Sequence, residues 1–493
     1  MHHDHDPLGL RADAPLLDAW IRAQEDIDSG RSHAFVIPGH KQRTDLVGDV
    51  IHGDLAMSGG LDTVRQRYGY LAEAERRAAR LWGVDWCRFS VAGSTHGNQA
   101  LALAVGEPGA TVVVSRTLHR SLLLGLVLAG LHPVWVRPRI DQRSGMPTSV
   151  PVPALEAALA DHPDACAVFL GDPSYVGGVG DIAGQAKAAH AAGIPLVVDA
   201  AWGAHLGFHP DLPAHPLDAG ADAMVTSAHK ALPAHSQAAF VLARTPAAAR
   251  ARGGIGIDPA RLDRAFDATH TTSPSGAILA SADAARALLA RDGDRLWGPL
   301  VERVDAARRR LLAVPGLDVL AGHFPDGTLV EPTKLVVLFA GTGAHGHDVE
   351  DDLIAAGLPV ELADRDTIIA MVTPADDDAS LHRLTEAIAA SVERHRGSAR
   401  RPATAAAWTV EARTVIPPRE AFFAAHESVP ADRAVGRISA ELVAPYPPGV
   451  PVLAPGELVT APALESLVRT RDEGGRIAYA ADPTLDTLQV VRE

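Results

Sequence analysis

Only two cysteines, Cys87 and Cys166, occur in 493 residues, so a disulfide framework is excluded. Each stands in an apolar, strand-like run, which reads as buried thiols in a reducing compartment. No run of about 18 uncharged apolar residues exists, so no membrane span is expected. The apolar stretch Ser121–Leu131 is too short and is bracketed by His119 and His132. Basic charge is scarce: 45 Lys and Arg against 60 Asp and Glu leave a formal net charge of −15. A nucleic-acid surface needs a basic face, so that class of partner is not expected. Met1–Asp6 is rich in His and Asp and no apolar signal segment follows, so a cytoplasmic protein is expected. Internal repeats are missing too. What remains is a chain with 47% hydrophobic residues, long enough for a large core and more than one domain.

From Trp86 to Leu242 short β-rich runs alternate with Ala/Leu-rich stretches. Strands are expected at Cys87–Val91, Thr111–Val114, Val134–Val136, Ala167–Leu170, Leu196–Val198, Ala223–Val225 and Ala239–Leu242. Helices are expected at Asn98–Val105, Leu122–Ala129, Leu155–Ala160 and Ile182–Ala192. Continuous apolar strands separated by helices mean an α/β fold with a mostly parallel, seven-stranded sheet covered on both faces. Ligands bind such sheets at the carboxyl ends of the strands. Further on, Ala282–Leu312 reads as one or two long helices. Thr333–Glu393 reads as strand, helix, strand, helix, enough for a small α+β unit. A linker is expected at Arg396–Ala407, and Pro445–Gly449 is rigid and extended.

Four local strings can carry chemistry. Thr226-Ser227-Ala228-His229-Lys230 follows a buried strand, so Lys230 is either an amine held near a pocket or a snorkelling surface lysine. Burial lowers an amine's pKa, and only the neutral form attacks a carbonyl. Asp199 ends the run Ile194–Val198 and needs a cationic or donor partner; a protonated pyridine nitrogen would serve, and so would the cap of a turn. Gly93-Ser94-Thr95-His96-Gly97-Asn98 forms a small-residue turn into a helix, where free N–H groups and hydroxyls suit a phosphate dianion or simply cap the helix. His119 could stack on a planar cofactor or hydrogen-bond at a helix start, and Trp202 could be core packing. A metal site built on His205 and His209 is disfavoured because Gly203, Gly207 and Pro210 break the helix it would need.

Taken in chain order, these strings resemble the ornithine/lysine/arginine decarboxylases of the aspartate-aminotransferase-like fold (fold type I), specifically the compact members without an N-terminal wing domain. The resemblance extends over nearly everything after residue 30. It includes Pro38-Gly39-His40-Lys41, the Gly93–Asn98 turn, His119-Arg120-Ser121, Asp172-Pro173-Ser174-Tyr175, Asp199–His205, Ser227–Lys230 with Leu232-Pro233, and Thr272-Ser273-Pro274-Ser275. It ends with Ala434–Arg437, Pro445–Gly449 and Pro455-Gly456-Glu457. The resemblance implies pyridoxal 5'-phosphate (PLP) bound as a Schiff base to Lys230. It implies Asp199 on the pyridinium nitrogen, His119 stacked on the ring, and Ser94, Thr95, Ser227 and His229 around the phosphate, with Trp202 beside them. It further implies decarboxylation of arginine, lysine or ornithine in polyamine metabolism, with Glu361 and Glu441 as candidates for the substrate's distal cation.

A homodimer or larger homo-oligomer is expected with it. So are an N-terminal arm (1–55), a PLP-binding large domain (56–300), a small α+β domain (301–400) and a C-terminal domain (401–493). Departures occur at Ala92, Ala200, Trp202 and Gly276, the last standing where many members place a Tyr. Another PLP reaction, such as aminotransfer or decarboxylation of a non-basic amino acid, remains open, as does a non-catalytic PLP-binding protein.

Overall fold

The computed structural model describes residues 6–33, 35–57, 61, 68–402, 410–411, 413–446 and 449–493. Residues 1–5 of the His/Asp-rich tip, 403–407 of the expected linker, and Pro447 and Pro448 lie outside the described residues.

The central sheet is built from β1 (Trp86–Ser90), β2 (Thr111–Ser115), β3 (His132–Val136) and β4 (Val168–Gly171). After the short β5 (Gly178–Val179) it continues with β6 (Leu196–Asp199), β7 (Ala223–Ser227) and β8 (Ala239–Ala243). Their spatial order is β1-β8-β7-β6-β4-β2-β3, parallel from β7 to β3 and antiparallel where β8 meets β7 and β1. Each expected strand is found within one or two residues of its place.

Alternation along these strands feeds two cores. Val113, Val168, Val198, Met224 and Phe240 join the core that holds Trp82 and Trp297. Their neighbours Val112, Val114, Phe169, Val197, Val225 and Val241 join the opposite core, with Leu101, Leu122 and Leu126. A period of two with both faces apolar requires helices on both sides of the sheet. The helix Gly93–Val105 lies close against β7 because Gly97 has no side chain: a Cβ there would stand 2.3 Å from Val225 Cγ2.

A single 37-residue helix, Gly276–Leu312, follows, with Pro299 inside it. The boundary expected at residue 300 therefore falls within one continuous helix, which serves both units. Gly276 opens this helix with its N–H on the Leu55 carbonyl (2.8 Å), and a Cβ there would stand 2.7 Å from that oxygen. The residue is a close backbone approach that leaves no room for a side chain.

The small unit contains β9 (Asp318–Val319), β10 (Leu329–Val330), β11 (Leu335–Leu338), β12 (Leu362–Ala363) and β13 (Thr367–Ala370), with helices Gly346–Ala355 and Asp378–Arg394. Its antiparallel sheet runs β12-β13-β11-β9, while β10 pairs back onto β5.

Last come β14 (His426–Pro430), β15 (Ala444–Tyr446), helix Ala461–Asp472, β16 (Arg476–Ala478) and β17 (Thr487–Val491). They form two small ribbons around their own core. This C-terminal unit is tied to the central sheet by Arg116, just after β2, whose guanidinium meets Glu457 at 2.5 and 3.0 Å with both side chains buried. Among the described residues no helix is long and apolar enough to cross a membrane.

Candidate active site

Parallel strands β4, β6 and β7 point their carboxyl ends the same way, and the expected residues gather there. Asp199 is the last residue of β6 and pairs in register with Val225 of β7, two residues before Ser227. Beyond Ser227 the chain turns through the short helix Ala228–Ala231, which carries His229 and Lys230.

The Gly93 turn faces them. Gly93 takes φ +69°, a left-handed value favoured by glycine, and its N–H donates to the Gln237 carbonyl at 2.8 Å. Ser94 Oγ lies 2.8 Å from Ser227 Oγ, so two hydroxyls from different elements converge at the helix N-terminus. Thr95 is exposed beside them. One turn further along, Asn98 donates to Asp199 Oδ2 (2.7 Å) and to Ser121 Oγ (2.9 Å). The other Asp199 oxygen accepts the Ala201 N–H at 3.1 Å. A carboxylate held by an amide and a backbone donor keeps its direction.

His119 caps helix Arg120–Ala129, its Nδ1 accepting the Ser121 N–H at 3.2 Å. Desolvation holds its pKa below the usual histidine value; Asp199 opposes this, and the cations Lys230 and Arg120 reinforce it. His229 Nδ1 donates to the Ala238 carbonyl at 3.0 Å, which fixes the orientation of the ring. Lys230 is half-buried, its Nζ 3.5 Å from the centre of the Trp202 ring. Burial pulls the Lys230 ammonium below the usual lysine range, opposed by Asp199 and then Glu361.

Glu361 is exposed, and its charge acts on Lys230 and Lys334. Glu441 is not brought to the site. Its oxygens accept the Ala481 and Gln489 N–H groups, both at 2.6 Å, inside the C-terminal unit, where the carboxylate is used to hold backbone.

Two residues escaped the reading of the sequence. Asn98 lay within the turn already singled out, but nothing local showed that its amide would reach Asp199. Lys334, wholly buried, brings its Nζ 4.1 Å from the same Trp202 ring. His205 proves to be a buried partner of Glu331 (3.0 Å) and lies outside any helix.

These groups fit a phosphorylated pyridine aldehyde. Paired hydroxyls at a helix N-terminus suit the phosphate, a fixed carboxylate suits a ring nitrogen, and an amine with depressed proton affinity suits the aldehyde. The hydrogen bonds Ser94–Ser227 and Asn98–Asp199 lock the first two features to one helix, so they form a single cradle.

Comparison with known proteins agrees with that chemistry. The major domain of Orn/Lys/Arg decarboxylase matches residues 23–321 and the C-terminal domain of the same family matches residues 403–472. An arginine decarboxylase of Halalkalibacterium halodurans is 32% identical, covering 93% of this chain and 94% of its own. One from Bacillus subtilis is 30% identical over the same shares. The solved lysine decarboxylase LdcF of Francisella novicida superposes with a TM-score of 0.79 at 17% identity, over 97% of this chain and 81% of that one. The sheet and its flanking units are thus those of the fold type I PLP enzymes. With more than half of its length matched by the major-domain model, and the C-terminal domain matched after it, the chain belongs to the Orn/Lys/Arg decarboxylase family.

Proposed function

We propose that this protein binds PLP covalently through Lys230 and releases the α-carboxyl group of a basic amino acid as carbon dioxide, leaving the amine. The observation that carries this reading is the convergence of Lys230, Asp199 and His119 at adjoining strand ends. There the charge of Asp199 acts on both of the other two. Arginine is the first candidate substrate, since the relatives at about 30% identity are named for it.

Bound PLP supplies an electron-withdrawing ring that takes up the electron pair left when a bond to the substrate Cα breaks. The residues do the rest. Asp199, aimed by Asn98, favours a protonated ring nitrogen. Ser94, Ser227 and His229 hold the phosphate, with Thr95 at the rim. His119 offers a flat ring whose charged form is disfavoured, and so can stack without adding a fixed cation. Lys230 loses its proton readily at Nζ, which makes it a nucleophile toward the cofactor aldehyde. Glu361, exposed and with its field on Lys230, receives the distal ammonium or guanidinium of the substrate.

The same reading places the amine product upstream of polyamines and the protein in the cytoplasm, as a homodimer or larger homo-oligomer. Its N-terminal arm supports that assembly, because Phe35, Ile37, Leu46, Val47 and Val50 are exposed apolar side chains in one short segment.

The test is to incubate PLP-loaded protein separately with arginine, lysine and ornithine and to measure CO2, amine and keto acid. Amine and CO2 from one of them, lost in Lys230→Ala, is the expected result. Keto acid without CO2, or undiminished turnover in Lys230→Ala, overturns the proposal.

A further inference from the structure

Of the 45 Lys and Arg residues only four are lysine: Lys41, Lys187, Lys230 and Lys334. Two of the four meet over one indole. Lys230 Nζ lies 3.5 Å and Lys334 Nζ 4.1 Å from the centre of the Trp202 ring, so the nitrogens stand no farther apart than those distances combined. They arrive from different units, Lys230 from the end of β7 and Lys334 from the residue preceding β11.

Lys334 is 1% exposed. Its Nζ donates to the Tyr175 carbonyl at 2.8 Å and to the Ser174 carbonyl at 3.4 Å, with the indole face as a third acceptor. The nearby carboxylate Glu331 is engaged elsewhere, on His205, Thr333 and the Lys334 backbone N–H. A buried amine held by neutral acceptors gives up its proton easily: burial pulls Lys334 down to about 7, opposed by Glu331, furthered by Lys230 and opposed by Glu361. Arginine could not do this, because a guanidinium stays charged.

We propose that Lys334 is a positioning residue for Lys230: the two amines share a positive charge across Trp202, and Lys334 takes up a proton when Lys230 gives one up to react. Like charges over one ring disfavour each other, so the protons leave the pair in two linked steps. To bond an aldehyde, Lys230 must first shed its ammonium proton. Its remaining two N–H hydrogens then leave with the carbonyl oxygen as water while the C=N bond forms. With Lys334 as the acceptor, that first proton stays beneath the indole, where the ammonium also fixes the ring. The groups facing the pair are Asp199, Glu361 and His119 around Lys230, and Glu331 and Glu361 around Lys334.

The inference rests on Lys230 being the anchoring amine, and the experiment separates the two claims. In cofactor-free protein carrying 15N,13C-lysine, four side-chain signals suffice to follow both amines by NMR. The Lys334 signal is expected to titrate near pH 7 and to move up by about one pH unit in Lys230→Met, where the like charge is gone. A Lys334 signal that stays an ammonium through pH 9, or a midpoint indifferent to Lys230→Met, overturns the inference.

Independently, borohydride-trapped attachment of PLP is measured against pH. Near neutral pH the wild type should level off, whereas Lys334→Met and Lys334→Arg, neither of which can take up the proton there, should keep falling about tenfold per pH unit. Parallel profiles for wild type and Lys334→Met also overturn it. Label retained in Lys230→Ala overturns the anchoring assignment instead.

Discussion

The Arg116–Glu457 pair yields the prediction with the firmest magnitude. Its side chains are 3% and 2% exposed, and the guanidinium makes two bonds to the carboxylate and one to the Val452 carbonyl at 3.1 Å. Glu457 Oε2 also accepts the Ala454 N–H at 2.9 Å. Glu457→Ala removes the carboxylate and leaves a desolvated cation with one carbonyl and the face of Trp135, plus an unpaired N–H at Ala454. Breaking one side of a buried pair costs about 3–5 kcal/mol. Solvent-exposed ion pairs in general are worth only about 0–1 kcal/mol. Replacing both partners, Arg116→Met with Glu457→Met, removes the stranded charge as well and should recover most of the loss, as buried pairs exchanged for apolar residues commonly do.

The assay is urea unfolding of wild type, both single variants and the double variant, followed by tryptophan fluorescence and closed as a double-mutant cycle. PLP binding is measured alongside, because Arg116 lies three residues before His119 and anchors the loop between them. The expected result is a single-variant loss of several kcal/mol, a double variant within about 2 kcal/mol of wild type, and weaker PLP binding in the single variants. A Glu457→Ala cost under about 1 kcal/mol would refute the claim that this contact welds the C-terminal unit to the sheet.

Other consequences follow from neighbouring residues. Asp172 is buried with one oxygen on the Gly180 N–H (2.7 Å) and the other without a partner, and desolvation raises its pKa to about 7. A raised carboxyl pKa gives stability that is fullest below about pH 4, declines up to about pH 7 and is lost above it. Asp172→Asn should therefore flatten the pH dependence and exceed wild type by about 1–4 kcal/mol at pH 8; equal stabilities at pH 8 would contradict this. Asp199→Ala should keep measurable PLP binding while turnover falls at least about 100-fold, and near-normal rates would remove its role on the ring nitrogen. Gly97→Ala drives a methyl into Val225 and Val241, so melting and PLP titration should show about 1–3 kcal/mol of destabilisation and weaker cofactor binding. An unchanged Gly97→Ala would mean that the helix does not need its close approach to β7.

The central sheet was legible in the sequence because burial on both faces writes itself locally. Val112–Val114, Leu196–Val198 and Ala239–Leu242 are apolar without interruption, and no other element uses such short runs between helices. Lys230 and Asp199 stood out for the same reason, since a titratable residue at or just beyond the end of a buried strand contrasts with its surroundings. The continuity of helix Gly276–Leu312 was not legible, because Pro299 inside it left open whether one helix or two would form. Glu361 and Glu441 looked alike along the chain, and only packing separates a carboxylate whose field reaches Lys230 from one bonded to Ala481 and Gln489. Gly276, standing where many members of the family place a Tyr, meets the Leu55 backbone too closely for any side chain.

By itself, then, the sequence determined the strand succession, the residues at the strand ends and the chemistry that a lysine and an aspartate could perform there, all of which depend on near neighbours and apolar patterning. Tertiary structure alone decided that Asn98 aims Asp199, that Ser94 meets Ser227, that Arg116 meets Glu457, and that Lys334 shares an indole with Lys230. These contacts join residues tens to hundreds of positions apart, and a hydrogen bond or a shared field depends on distances in space that no local pattern encodes.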